Sequence, residues 1–139
     1  MRVVLDASVA IKWVIRDRLV EPDLDRAIAV LRAIRERSIV AFEPPHWTAE
    51  IVAVIARARP RRVVFVLGML ATLPFSETTT LSCYRRASDI AVRLDHHLFD
   101  TLYHAVALEE RAMLVTADEA YFDKARNLGS IQLLGDFSI

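Results

Sequence analysis

Asp6 closes a short apolar run, VVL, and Asp118 follows another, MLVT. Asp100 opens the stretch TLYHAVAL, and Glu50 lies inside PPHWTAEIVAVIARA. In open α/β sheets ligands bind beyond the carboxyl ends of the strands, at a topological switch point, so acids that follow two neighbouring strands converge there. Carboxylates brought together repel one another until protonation or a cation relieves them. A hard divalent ion does this with oxygen ligands: magnesium keeps several waters and uses carboxylates together with substrate phosphates. Manganese suits the same donors. The Cys/His spacing of a zinc site is missing from the sequence. Each acid also has a plainer role. Asp6 and Asp118 are good helix N-caps, and Asp100 suits the positive end of a helix. Glu50 flanks the apolar stripe of Trp47, Ile51, Val54, Ile55 and Ala58, where a solvated glutamate is common. The functional reading rests on all four occurring together.

The elements that must position these acids follow from the pattern. Arg2 to Leu5 predicts a buried strand, with Asp6 capping a helix over Ala7 to Arg16. Leu24, Ile28, Leu31 and Ile34 recur at helical spacing and predict an amphipathic helix from Glu21 to Arg37. Ser38 to Phe42 reads as a second strand. Pro44 and Pro45 start a helix that runs to about Arg59 and is ended by Pro60. Arg61 to Leu73 predicts a helix stopped by Pro74, and Thr78 to Leu81 is β-prone. Ser82 to Asp95 and His97 to Arg111 are helical, and Ala112 to Thr116 is a strand. Asp118 caps a last helix to Asn127, Gly129 stops it, and Ile131 to Leu134 is a final strand. Strands alternating with helices predict an α/β fold with a short, mostly parallel sheet covered on both faces.

The chain has 139 residues, which suits a single domain over 1–139 with one hydrophobic core. Its 18 basic and 18 acidic side chains balance, which argues against a protein that grips nucleic acid by charge alone. All the basic residues except Lys12 and Lys124 are arginines, whose planar fork binds phosphate well. Arg57 to Arg62, with Arg85, Arg86 and Arg93, are candidate phosphate contacts or simply solvated faces. Cys83, the one cysteine, is expected to pack as a small apolar residue. Neither a secretory signal nor an apolar run of bilayer length is visible, and a cytoplasmic protein with no membrane partner is expected.

The four acid-bearing segments, VVLDASVAIKW, PPHWTAEIVAVIARA, HLFDTLYHAVAL and MLVTADEAYFDKAR, resemble in order and spacing the four motifs of the PIN-domain family, and within it the VapC-type toxins. The likeness spans most of the chain. It implies a PIN-like fold and an endoribonuclease in which Asp6, Glu50, Asp100 and Asp118 bind magnesium or manganese and carry the catalysis. It also implies supporting hydroxyls at Ser8, in a D-x-S pattern, and Thr116, in T-x-D. The metal would supply hydroxide for in-line attack on an RNA phosphodiester, leaving 5′-phosphate and 3′-hydroxyl ends. Thr101 and His104 depart from the family pattern, and His104 is expected to fill its helix face. Asp95 to His97 reads as a polar loop, and Asp123, in mid-helix, is the lesser candidate for the fourth acid.

The resemblance further implies a cognate VapB-like antitoxin and a homodimer. The apolar run Val63 to Leu67 is a candidate interface, while Trp13 and Trp47 are expected in the core. Other readings stay open: a PIN-domain RNA-processing nuclease without an antitoxin, or a catalytically inactive binding module. A receiver-like signalling domain expects paired acids after the first strand and a lysine after a late one, and neither is found here.

Overall fold

A computed structural model describes residues 1–16 and 23–139. Five strands form one sheet in the order β3-β2-β1-β4-β5. They are β1 (Arg2–Leu5), β2 (Val40–Glu43), β3 (Phe75–Glu77), β4 (Met113–Thr116) and β5 (Ile131–Leu133), and every neighbouring pair is parallel. The chain moves outward from β1 on one side through β2 and β3, then returns to lay β4 on the other side. The switch point therefore falls between β1 and β4, where Leu5 pairs with Val115.

Both faces of the sheet are covered, which is why β1 and β4 are continuous apolar runs: Val3, Val4, Leu5, Leu114 and Val115 are all buried. Among the described residues seven α-helices do the covering: α1 (Ala7–Ile11), α2 (Leu24–Arg35), α3 (Trp47–Ala58), α4 (Val63–Ala71), α5 (Leu81–Leu94), α6 (Leu98–Glu109) and α7 (Glu119–Ala125). Helix α6 packs on β1, β4 and α5, and its residues Thr101 to Ala107 are buried all round. Thr101 departs from the family pattern at no cost, because its hydroxyl donates to the Ala87 carbonyl of α5 at 2.8 Å and to Leu98 at 3.0 Å. Trp13 and Trp47 meet edge to face in the core as expected, their ring centroids 6.2 Å apart. Cys83 is buried too, and its thiol donates to Glu109.

Three expected elements differ. The first helix ends at Ile11 rather than Arg16. Beyond it Trp13 and Val14 make tighter bonds to Ala10 and Ile11, while the Trp13 indole donates to the Ala27 carbonyl of α2 at 2.9 Å and turns the chain into the core. The second helix is Leu24–Arg35, shorter than Glu21 to Arg37, and Glu21 lies outside the described residues. The β-prone threonines are not a strand. The strand is Phe75–Glu77, directly after Pro74, and Thr80 caps α5 by accepting from the Cys83 N–H at 3.0 Å. A threonine hydroxyl that satisfies an orphan helix donor outweighs its β-propensity here.

Candidate functional site

The first half of the site is built at the ends of β1 and β4. The Asp6 N–H donates to the Val115 carbonyl at 3.0 Å, which carries the parallel ladder one residue past β1 and fixes Asp6 beside Thr116. One Asp6 oxygen accepts from the Ser8 N–H at 3.0 Å, as a helix cap. The other accepts from the Thr116 hydroxyl at 2.6 Å. The same Thr116 oxygen accepts from the Asp118 N–H at 3.0 Å. Ser8 closes the loop, its hydroxyl accepting from the Ala117 N–H at 3.0 Å. Asp118 caps α7 through the Tyr121 N–H at 2.9 Å. Capping and site-building are thus one arrangement for both acids: a cap fixes one carboxylate oxygen, and in Asp6 the Thr116 hydroxyl orients the other.

The second half stands on helices. Glu50, in the first turn of α3, accepts a short hydrogen bond from the Tyr103 hydroxyl of α6. His46, just before α3, is wedged between Tyr103 and Phe99, with ring centroids 4.7 and 5.3 Å away. Its Nε2–H donates to the Phe99 carbonyl at 3.1 Å and lies 3.7 Å from the Glu50 carboxylate. Burial pushes the His46 imidazole below its usual range, so it is neutral near neutral pH. Asp100, in the first turn of α6, accepts from His96 Nε2 at 2.7 Å. Lys124 approaches the other His96 nitrogen at 3.5 Å and donates to the Asp95 carbonyl at 3.1 Å. The loop from Asp95 to His97 is polar, as expected, yet it also places an imidazole on one of the acids.

Electrostatics join the halves. Burial raises the Asp6 carboxyl, the Thr116 and Ser8 hydrogen bonds pull it down, and the anions Asp100 and Asp118 push it up again. Glu50 is raised by burial first, lowered by the Tyr103 bond, and raised again by Asp6 and Asp100. Among the described residues, Asp6 is thus raised by two acids and Glu50 by two. Among the described residues no three acidic, histidine or cysteine side chains close on one point as a ready-made metal cage. The acids act on one another through space without converging. An all-oxygen donor set of this kind fits a hard ion that retains several waters, as magnesium does.

Two buried groups escaped the sequence reading. Glu43, at the end of β2, is fully buried, and its carboxylate accepts from the Leu5 N–H at 3.1 and 3.4 Å. Glu43 falls just past the strand expected over Ser38 to Phe42, and β2 extends to include it. Tyr103 was hidden within an apolar helical stripe, where only its contact with Glu50 gives it a role. His104 fills its helix face, as expected: it is buried, with Nε2–H donating to the Gly129 carbonyl at 2.7 Å and Nδ1 accepting from the Tyr121 hydroxyl at 3.1 Å. Gly129 presents that carbonyl with φ 76° and ψ −178°, a backbone region open essentially to glycine alone. Asp123 is exposed in the middle of α7.

No curated protein matches this sequence. Among solved structures, a chain of VapBC2 from Rickettsia felis, crystallised with a DNA fragment from its promoter, superposes with a TM-score of 0.67 at 15% identity, over 96% of this chain and 98% of that one. Mycobacterium tuberculosis VapC20, a toxin that cleaves the sarcin-ricin loop, superposes with a TM-score of 0.67 at 16% identity, over 89% of this chain and 95% of that one. These likenesses confirm the fold. The sequence model of the PIN domain matches residues 3–128, nearly the whole chain. With that match and five parallel strands switching direction between two acid-tipped neighbours, the chain belongs to the PIN-domain family.

Proposed function

We propose that this chain is a divalent-metal-dependent endoribonuclease, the toxin of a VapBC-type pair, with Asp6, Glu50, Asp100 and Asp118 as its metal-binding carboxylates. The observation that carries this reading is the state of Asp6. Its carboxylate sits at the switch point between β1 and β4, raised by burial and by two further acids, Asp100 and Asp118. Such a cluster calls for a cation. Magnesium or manganese bound there would supply a water acidic enough to attack a phosphodiester near neutral pH.

The chain's own residues prepare the site. Thr116 and Ser8 hold the Asp6 carboxylate in one orientation. Tyr103 aims Glu50, and His96 holds one oxygen of Asp100. Orienting groups of this kind are typical behind metal-binding carboxylates. His46 and His104 are kept neutral by burial, so neither brings a competing positive charge.

The antitoxin has a fitting surface. Val64, Phe65 and Leu67 of α4 are exposed, and beside them lies a cavity of about 770 Å³ whose lining includes Trp13, Leu31, Met69, Arg35 and Arg62. An apolar groove set among guanidinium groups suits an amphipathic helix with acidic residues. A homodimer and a cytoplasmic site of action complete the reading; no described helix is long and apolar enough to cross a membrane.

The test is to incubate the pure chain with total RNA, with manganese or with EDTA, and to map the cut ends. Metal-dependent cuts with 5′-phosphate ends are expected. Asp6→Asn should abolish them, a larger loss than the roughly 10–100-fold typical of a supporting residue. It should also leave thermal stability little changed, because asparagine caps a helix as well as aspartate does. Full activity of Asp6→Asn, or cleavage undiminished in EDTA, would falsify the mechanism.

A further inference from the structure

Phe99 is 58% exposed although it stands next to Asp100 in the first turn of α6. A lone exposed apolar residue is unremarkable, but this one is built into the site. Its carbonyl accepts from His46 Nε2, and its ring lies against the His46 ring at 5.3 Å and an interplanar angle of 50°. On its other side His46 contacts Tyr103, whose hydroxyl holds Glu50. Phe99 is thus one imidazole away from one acid and one residue away from another. His46 gives it a fixed backing, and more than half of the residue is left to solvent.

Resting on the nuclease reading, we infer that Phe99, backed by His46, is a stacking platform for an unpaired RNA base beside the cleaved phosphodiester. Three features fit this class of ligand. Single-stranded RNA is recognised by stacking splayed bases on aromatic side chains. Any base offers a π-face, so the platform adds affinity while leaving sequence choice to other contacts. The chain carries no net charge, so phosphate attraction alone has little to offer, and an aromatic anchor compensates. A duplex cannot present a base in this way, and the platform therefore restricts the substrate to loops and single strands. Phe99 is a positioning residue under this inference: it seats the nucleotide, and the acids act on the neighbouring phosphate.

The test uses short single-stranded oligoribonucleotides of mixed sequence, each with one 2-aminopurine walked along the strand, and Asp6→Asn protein with magnesium so that the strand stays intact. Stacking quenches the 2-aminopurine, and one register should be quenched. Adding Phe99→Ala should remove that quench and weaken binding roughly tenfold, whereas Phe99→Trp should preserve both. An abasic nucleotide at the same register should weaken binding to the Phe99 protein equally and make Phe99→Ala silent. Phe99 is exposed, so the fold should survive, and a thermal melt checks this. The inference is overturned if Phe99→Ala leaves quench and affinity unchanged, if its loss simply adds to the abasic loss, or if it disrupts self-association or antitoxin binding while RNA binding stands. The unmodified chain is assayed for manganese-dependent cleavage in parallel. Cleavage without any Phe99-dependent quench overturns the platform alone, and quench without cleavage overturns the nuclease reading alone.

Discussion

The strand-end half of the site and the helix half hold their carboxylates by different means. Asp6 is fixed by the parallel ladder, by the neighbouring Ser8 N–H and by the Thr116 hydroxyl that β4 brings beside it; Asp118 is fixed by the Tyr121 N–H and by the same Thr116 oxygen. Glu50 is fixed by Tyr103, which is 53 residues away on another helix, and Asp100 by an imidazole from the preceding loop. The ladder between β1 and β4 runs on to the Asp6 N–H, so the first half has little freedom. The second half is held outside the ladder, by a side-chain hydrogen bond to each acid, so it should be the more adjustable. The pair of halves describes a rigid anvil at the switch point facing a more adjustable jaw.

That contrast breaks most readily at Thr116. Thr116→Val removes one hydroxyl and disturbs two acids: Asp6 loses a donor, and the buried-side Asp118 N–H loses its acceptor. Cleavage should fall about 10–100-fold, and stability should fall by roughly 1–3 kcal/mol for the orphaned donor. The pH profile carries the sign. Thr116 lowers the Asp6 carboxyl against its burial, so without Thr116 that carboxyl rises further and protonates at higher pH. The acid limb of the rate profile should therefore move to higher pH, and Thr116→Ser should restore it. An unmoved acid limb would show that Asp6 is oriented by something else.

Tyr103→Phe is the matching change in the helix half, and its effect should be smaller. Glu50 loses a donor that lowers its carboxyl, so its acid limb also moves upward. Water can reach Glu50 and replace part of the lost bond, which limits the loss of cleavage to about tenfold, the lower end for such residues. Asp6 binds no atom of Tyr103 among its hydrogen bonds, so the strand-end half should be left intact. A loss as large as that of Thr116→Val would mean that the two halves are equally rigid and the comparison fails.

The same contrast explains what was legible in the sequence. The strand-end half is written in local code. Apolar runs that end in aspartate, with D-x-S and T-x-D spacings, specify a strand and a cap within a few residues, the pairing of β1 with β4 then brings the two hydroxyls across to their partners, and the fold class follows from the alternation of such runs with helices. The helix half is written in tertiary contacts. Glu50 could be picked out from its place on the flank of an apolar stripe, but Tyr103 and His46 could not, because nothing local distinguishes a tyrosine that reaches a carboxylate from one that fills a core. His96 sat in view in a polar loop, and only the turn at Asp95, with φ 47°, aims it at Asp100. The strand expected at Thr78 to Leu81 failed for a related reason: β-branching was local, while the need to cap α5 arose from the helix that follows.

Glu43 lies between the halves, and changing it should affect cleavage least. Its carboxyl is buried on β2, accepts from Leu5 one residue before Asp6, and is pushed well above the usual glutamate range, first by burial and then by the Asp6 anion, against the lowering effect of the Leu5 N–H. A raised folded value means that the group favours folding fully below its unfolded value of 4.5 and that this contribution is lost as pH rises through the folded value. Glu43→Gln keeps a carbonyl oxygen for the Leu5 N–H and has no proton to lose. The variant should match the parent in acid and melt several degrees higher at neutral and mildly alkaline pH, with the difference in Tm widening as pH rises. Cleavage should hardly change, because Glu43 supports the strand next to the site and faces no solvent from which a phosphate could approach. If Glu43→Gln instead abolishes cleavage as Asp6→Asn does, then Glu43 acts as a fifth acid, and the strand-end half extends across β2 as well as β1 and β4.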